Sequence, residues 1–173
     1  MGIKLLGVSL PLLVISIIAV TSTAADETGK PLITKTCAGT EFPDVCTSTL
    51  ESDPRSLSAD LKGLSRIALE LSATKGNDSA GLAYNLLQNA TAFKPWSELS
   101  ACFYGYNTSV DQINDHGLQS FDEAKYDKAY EAVDLLNKDA LRCSTFEIPE
   151  LDESNTMLSQ FTTVVKTILQ LLF

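Results

Sequence analysis

The feature that most constrains this chain is a helical period that recurs from residue 57 almost to its end. Leu57, Leu61, Leu64, Ala68 and Leu71 fall at i, i+4, i+7, i+11 and i+14, which aligns them on one face of an α-helix. Asp53-Pro54 ahead of them is a start signal, with Ser56 or Ser58 as candidate N-cap. The pattern resumes at Leu82, Ala83, Leu86 and Leu87, so this helix is expected to continue, with a bend near Gly76, to about Asn89. The segment TAFKPWS is expected to break it, because Pro95 disfavours the α conformation at the preceding residue. A second stripe, Leu99, Phe103, Tyr106, Val110 and Ile113, runs from Trp96 to His116, with Gly117 placed as a C-cap. A third, from Asp122 to Arg142, carries Tyr126, Ala129, Val133, Leu136 and Ala140. STFEIPE reads as a loop at Pro149, and a fourth helix from about Asp152 to Leu172 carries Leu158, Phe161, Val165, Ile168 and Leu172. No stretch alternates with period two. Four amphipathic helices on short loops bury their stripes together, so residues 52–173 are expected to form an all-α, antiparallel four-helix bundle. Phe103, Tyr106, Phe161 and Ile168 are expected in its core.

Residues 26–51 differ. Leu32, Ile33 and Cys37, then Phe42, Val45, Cys46 and Leu50, mark two short helices with Gly39 at the turn, a helical hairpin ahead of the bundle. Helices this short are marginal in water. CAGTEFPDVC therefore raises a choice between a metal site, a redox pair and a staple.

That choice depends on the compartment. Lys4, the apolar run Leu5 to Val20, and the small residues Ser22, Ala24 and Ala25 before Asp26 read as a secretory signal over residues 1–25. The run is short for a membrane span, and the C-terminal MLSQFTTVVKTILQLLF reads as a core helix and not as a lipid-anchor signal. Cleavage would leave 148 of 173 residues and, with Lys4 gone, take the formal charge from −9 to −10. So acidic a surface argues against nucleic acid, and against a membrane after cleavage, and favours a basic partner. An even count of cysteines in an exported chain implies two disulfides among Cys37, Cys46, Cys102 and Cys143, with three connectivities open. Three glycosylation sequons, at Asn77, Asn89 and Asn107, agree with export.

The chain offers little to an enzyme. Its one histidine, His116, sits at an expected helix end, where the helix dipole favours a cation. No HExxH, CxxC, phosphate loop, dinucleotide loop or GxSxG is present. Zinc ligation by cysteine needs close pairs that are missing. No catalytic residue, metal or cofactor is expected, and the acidic pair Asp111/Asp115 reads as a solvated face.

The spacing C-x8-C followed by C-x40-C resembles the plant pectin methylesterase inhibitor and invertase inhibitor family. SDPRSLSADLKGL (52–64) is similar to the family's entrance to the first bundle helix, and KYDKAYEAV (125–133) to the stretch before its fourth cysteine. The resemblance spans about residues 28–172. It implies a four-helix bundle with an N-terminal hairpin, one inhibitor domain over 26–173, and disulfides Cys37–Cys46 and Cys102–Cys143. It also implies a protein target, either pectin methylesterase or acid invertase, in the cell wall or the vacuole. Where invertase inhibitors of this family carry Pro-Lys-Phe, this chain has Tyr126-Asp127-Lys128, which tilts the expectation toward pectin methylesterase. For that target the resemblance implies that the second and third bundle helices cover the enzyme's cleft. Asp111, Asp115, Asp127, Lys128, Glu131 and Asp134 are the exposed positions expected there, the acidic ones steering association. A glycan on Asn107 would obstruct such docking unless the interface lies off that face. A non-inhibitory, allergen-like secreted bundle and a hydrolase with an unrecognised site are the other readings.

Overall fold

In the computed structural model, residues 27–173 and Gly2 are described, and among them there is no strand. The expected leader and its cleavage site otherwise lie outside the described residues.

Two short helices, α1 (Gly29–Ala38) and α2 (Pro43–Glu51), form the hairpin. The Cys37–Cys46 disulfide joins them with Cα atoms 5.5 Å apart. Leu32, Ile33 and Leu50 turn inward and are buried, while Phe42 and Val45 are half-buried. A 3₁₀ turn (Pro54–Leu57) follows, capped by the Asp53 carboxylate, which accepts from the Arg55 amide. This turn corrects the expected start of the first long helix. Leu57 lies outside that helix and is exposed, and the N-cap is Asp60, whose carboxylate accepts from the Gly63 amide at 2.7 Å.

The first long helix, α3 (Leu61–Gln88), runs through Gly76 without interruption and ends at Asn89. The second, α4 (Phe93–Gln112), begins three residues before Trp96. Pro95 therefore sits inside the first turn. It is tolerated there because the amide it lacks has no partner within the helix anyway. At the far end Gly117 does not act as a C-cap. The chain stays helical through a π turn (Ile113–Gly117) into α5 (Leu118–Asp122), with Gly117 at φ −62°. Gly117 is needed for space instead, since a Cβ there would lie 3.1 Å from Ala132 Cβ on a neighbouring helix. The stop comes at Ala124, whose φ of 59° is left-handed. The Lys125 amide donates to the Ser120 carbonyl at 2.8 Å and the Ala124 amide to the Phe121 carbonyl at 3.0 Å, which is the Schellman closure with alanine in the place glycine usually takes.

The third long helix, α6 (Tyr126–Ser144), buries Ala129, Val133, Leu136 and Ala140 as its stripe predicts, with Tyr126 half-buried. The fourth, α7 (Pro149–Gln170), starts at Pro149, which belongs to its first turn and not to a loop. The four long helices pack as a ring, α3 on α4, α4 on α6, α6 on α7, and α7 back on α3. Partners run antiparallel: Arg142 reaches Ala101 and Ser109 reaches Asp139, while Asn137 reaches Ser159 and Lys166 reaches Asp134. The Cys102–Cys143 disulfide bridges α4 and α6, Cα to Cα 5.6 Å. Tyr106, Phe161 and Ile168 are fully buried, whereas Phe103 packs on the edge of the core, half-buried.

Polar bridges fix the register. The Asn137 amide, buried between α6 and α7, donates to the Ser159 carbonyl and the Thr162 hydroxyl. Buried Tyr106 donates to Asn155, and burial pushes its phenol above the ordinary range, with the Asp139 charge adding to the effect. An ion chain runs from Asp53 through Arg55, Glu70 and Arg66 to Asp122, tying the 3₁₀ turn and the end of α5 to α3.

Candidate functional site

Helices α4 and α6 leave a concave face along their outer seam. Two grooves lie end to end and share Leu135. One, of about 250 Å³, is lined by Gln112, His116, Ser120, Lys128, Glu131, Ala132 and Leu135. The other, of about 350 Å³, is lined by Ala101, Tyr104, Gly105, Thr108, Leu135, Asp139 and Arg142. The lining positions recur every three or four residues on both helices, so they form one stripe per helix.

The upper end of the seam is held rigidly. Asp139, 8% exposed, accepts from the Ser109 hydroxyl at 2.6 Å and pairs with Arg142 at 2.9 Å. Arg142 in turn donates to the Ala101 carbonyl across the seam at 3.2 Å. Gly105 makes room for this clamp, since a Cβ there would collide with the Arg142 guanidinium. Together with the adjacent Cys102–Cys143 bridge, the clamp presents Tyr104 and Leu135 on a fixed frame. Leu135 is 38% and Tyr104 65% exposed, apolar surface in the middle of a polar rim. At the lower end the π turn carries His116 into the groove, facing α6. No carboxylate or hydroxyl among the described residues bonds to its ring, so the arrangement of a general base with an orienting partner is absent there. Also among the described residues, no group of three or more His, Cys, Asp or Glu is placed to hold a metal ion, and no helix is long and apolar enough to cross a membrane.

The six expected contact residues divide. Lys128 and Glu131 line the groove and pair with each other at 2.8 Å, which raises the lysine's affinity for its proton. Asp111, Asp115 and Asp127 are exposed on the same two connected helices but do not line it. Asp134 is not a free surface charge. It is half-buried against α7, bonded to Lys138 at 2.7 Å and to Lys166 at 2.5 Å. Burial pushes its carboxyl up, but the two lysines together hold it below the usual carboxylate range. Its charge is spent inside the bundle, which weakens it as a steering group. The sequence reading missed Leu135, Tyr104 and Arg142. Leu135 carried a signal, an apolar residue outside the α6 stripe.

The sequons lie on helices, Asn77 within α3, Asn89 at its C-cap and Asn107 within α4. Asn107 is one turn beyond Phe103, which packs on Tyr84 of α3 with ring centroids 5.2 Å apart. It therefore belongs to the α3 side of α4 and not to the groove.

Residues 31–168 match the family described as plant invertase/pectin methylesterase inhibitor. A pectinesterase inhibitor of Actinidia deliciosa is 30% identical over 108 residues, 62% of this chain and 58% of that protein. A cell wall/vacuolar inhibitor of fructosidase from Arabidopsis thaliana is 32% identical over 99 residues, 57% of this chain and 54% of that protein. The chain thus spans a little over half the length of these curated relatives. Two crystal structures of a pectin methylesterase inhibitor from Arabidopsis share the fold at 11% identity. The mutant form has a TM-score of 0.67, covering 78% of this chain and 92% of that one, and the other a TM-score of 0.60, covering 83% and 97%.

Proposed function

The chain belongs to the plant invertase/pectin methylesterase inhibitor family, and from that premise we propose that it is an exported inhibitor of pectin methylesterase. The family is one of proteinaceous inhibitors. In this reading residues 1–25 are removed, residues 26–173 form one inhibitor domain, and the protein works in the cell wall. The hairpin over 26–51 and the bundle over 52–173 act as one body.

The observation that carries the reading is the rigid seam between α4 and α6. It is long and shallowly concave, and has an apolar centre at Leu135 and Tyr104 inside a rim of Lys128, Glu131, Asp139 and Arg142. Interfaces concentrate their energy in such a centre and use the rim to exclude water and set register. Laid across a cleft, this face blocks substrate without any chemistry of its own. Asn107, on the α3 side, leaves the seam clear. The acidic groups Asp111, Asp115, Asp127 and Glu131 give the approach its charge and favour a basic enzyme surface.

Acid invertase is the second target, supported by the similarity to the Arabidopsis fructosidase inhibitor. The mature protein, titrated separately against a plant pectin methylesterase and an acid invertase, tests both. Stoichiometric loss of pectin methylesterase activity alone is expected. Inhibition of invertase alone moves the proposal to the second target, and inhibition of neither at micromolar concentration refutes it.

A further inference from the structure

Residues 79–110 hold only two charged side chains, Lys94 and Glu98, in a chain of net charge −9. Those two pair with each other at 3.7 Å. The surface these residues build, along the α3–α4 edge, is aromatic and amide-rich instead. Tyr84 is 44% and Tyr104 65% exposed, and Phe103 lies between them, its ring tilted against both, with centroids 5.2 Å from Tyr84 and 5.0 Å from Tyr104. Neutral hydroxyl and amide groups beside open aromatic rings suit a neutral sugar. The C–H face of a pyranose packs on the negative face of the ring, and its hydroxyls meet the amides.

One occupant is already attached to the chain in prospect. We propose that this surface seats an N-linked glycan carried on Asn107. Asn107 follows Phe103 by four residues and Tyr104 by three, so it stands one turn beyond both, between their two directions on the helix. A substituent on a helical residue leans over the turn toward the N-terminus, which lays the first sugars on the Phe103 ring and toward Tyr84 on the α3 side, short of the seam. Farther along the same stripe the Ser100 hydroxyl is buried without a hydrogen-bonding partner among the described residues. The other two sequons lack this platform. One turn before Asn77 are Ala73 and Thr74, and one turn before Asn89 are Asn85 and Leu86. In the bare protein the Asn107 side-chain amide donates to the Phe103 carbonyl at 2.9 Å, a bond it gives up to carry the sugar. Ser109, the third residue of the sequon, is fully buried, so the sugar is added before the helix forms. The inference rests on export as proposed above.

The test is expression of the full chain, with its own leader, in a plant secretory host. Glycopeptide mass spectrometry of the exported protein is expected to find Asn107 occupied. Asn107→Gln is expected to lower the melting midpoint by about 2–4 °C, while Asn77→Gln and Asn89→Gln change it by less than about 1 °C. In a Phe103→Leu/Tyr84→Ser background the Asn107→Gln loss disappears. Ring currents are expected to shift the ring protons of the first sugar upfield in the wild-type NMR spectrum only. Exported protein with Asn77 or Asn89 occupied and Asn107 bare overturns this inference and leaves the export reading intact. Protein that stays inside the cell with every sequon bare overturns both. Occupied Asn107 with unshifted sugar signals and no effect of Asn107→Gln on melting also overturns it, and binding of free neutral oligosaccharide to the same rings would then identify an external ligand.

Discussion

Gly76 and Gly81 lie five residues apart in the interior of α3, and the same substitution at each should have opposite effects. Alanine at either gains about 1 kcal/mol of helix propensity. At Gly81 a Cβ meets nothing within 4 Å, so Gly81→Ala is expected to stabilise by about that amount. At Gly76 a Cβ would lie 2.6 Å from Val110 Cγ2 on α4 and 3.1 and 3.2 Å from the two Leu136 methyls on α6. Both partners are buried, with Leu136 fully enclosed, so the crowding cannot be relieved into solvent. Overpacking of this kind costs about 1–3 kcal/mol. The propensity term is common to both variants and cancels in their difference. Urea unfolding of the oxidised proteins should therefore place Gly76→Ala about 1–3 kcal/mol below Gly81→Ala, through the midpoint and not the slope. If Gly76→Ala is as stable as Gly81→Ala, α3 does not meet α4 and α6 as described, and the packing that positions the seam is wrong.

Removing the long disulfide by Cys102→Ala/Cys143→Ala opens a loop with a sequence separation of 41. In the chain-entropy model this loses about 4 kcal/mol, against about 3 kcal/mol for Cys37→Ala/Cys46→Ala, readable in the same urea titration. A loss at the long bridge well below that at the short one would contradict the assignment. Ala124→Gly relieves the left-handed Schellman position and should add about 1 kcal/mol, seen as a raised melting midpoint; a lowered one would mean that the stop lies elsewhere. Asp53 and Asp122 are held below the carboxylate range by Arg55 and Arg66, and Asp134 by its two lysines against the pull of burial. Depressed carboxyls contribute stability that is complete above the unfolded value of about 4 and is lost as pH falls through the folded values. Tyr106, shifted the other way by burial, contributes up to about pH 10 and loses its effect above. Melting midpoints from pH 3 to 11 should be level between about 5 and 9 and fall at both ends; a decline already beginning at pH 6 would require another titrating group.

The bundle was legible because its cause is local: a 3.6-residue period buries one face, and each stripe carries that period. What the sequence misled on were residues with two uses. Gly117 looks like a C-cap because glycine ends helices, but it also lets helices touch, and only Ala132 fifteen residues later decides which. Pro95 reads as a breaker, yet in a first turn it breaks nothing, and the difference is where Ala92 turns extended. Leu57 matches the α3 period by number alone, since the 3₁₀ turn at Asp53-Pro54 takes it out of phase. The seam was half legible. The resemblance pointed to the second and third bundle helices, and two of the exposed residues expected there, Lys128 and Glu131, line the groove along them. Asp134 looked equally exposed in sequence because its partner Lys166 comes from α7. The Ser109–Asp139–Arg142–Ala101 clamp joins residues up to 41 positions apart through the packing of two helices, and no local pattern announces it.

The central claim is that the α4–α6 seam is the face that docks on the enzyme. Leu135→Arg places a charge at its centre, while Leu141→Arg makes the same change on another face of α6, at a leucine that is 54% exposed and lines neither groove. Inhibition constants for both against the enzyme that wild type inhibits decide the matter. Leu135→Arg is expected to weaken inhibition by at least about 30-fold, and Leu141→Arg by less than about 3-fold, with both variants melting like wild type. Equal potency of Leu135→Arg and wild type, or a larger loss at Leu141, would contradict it.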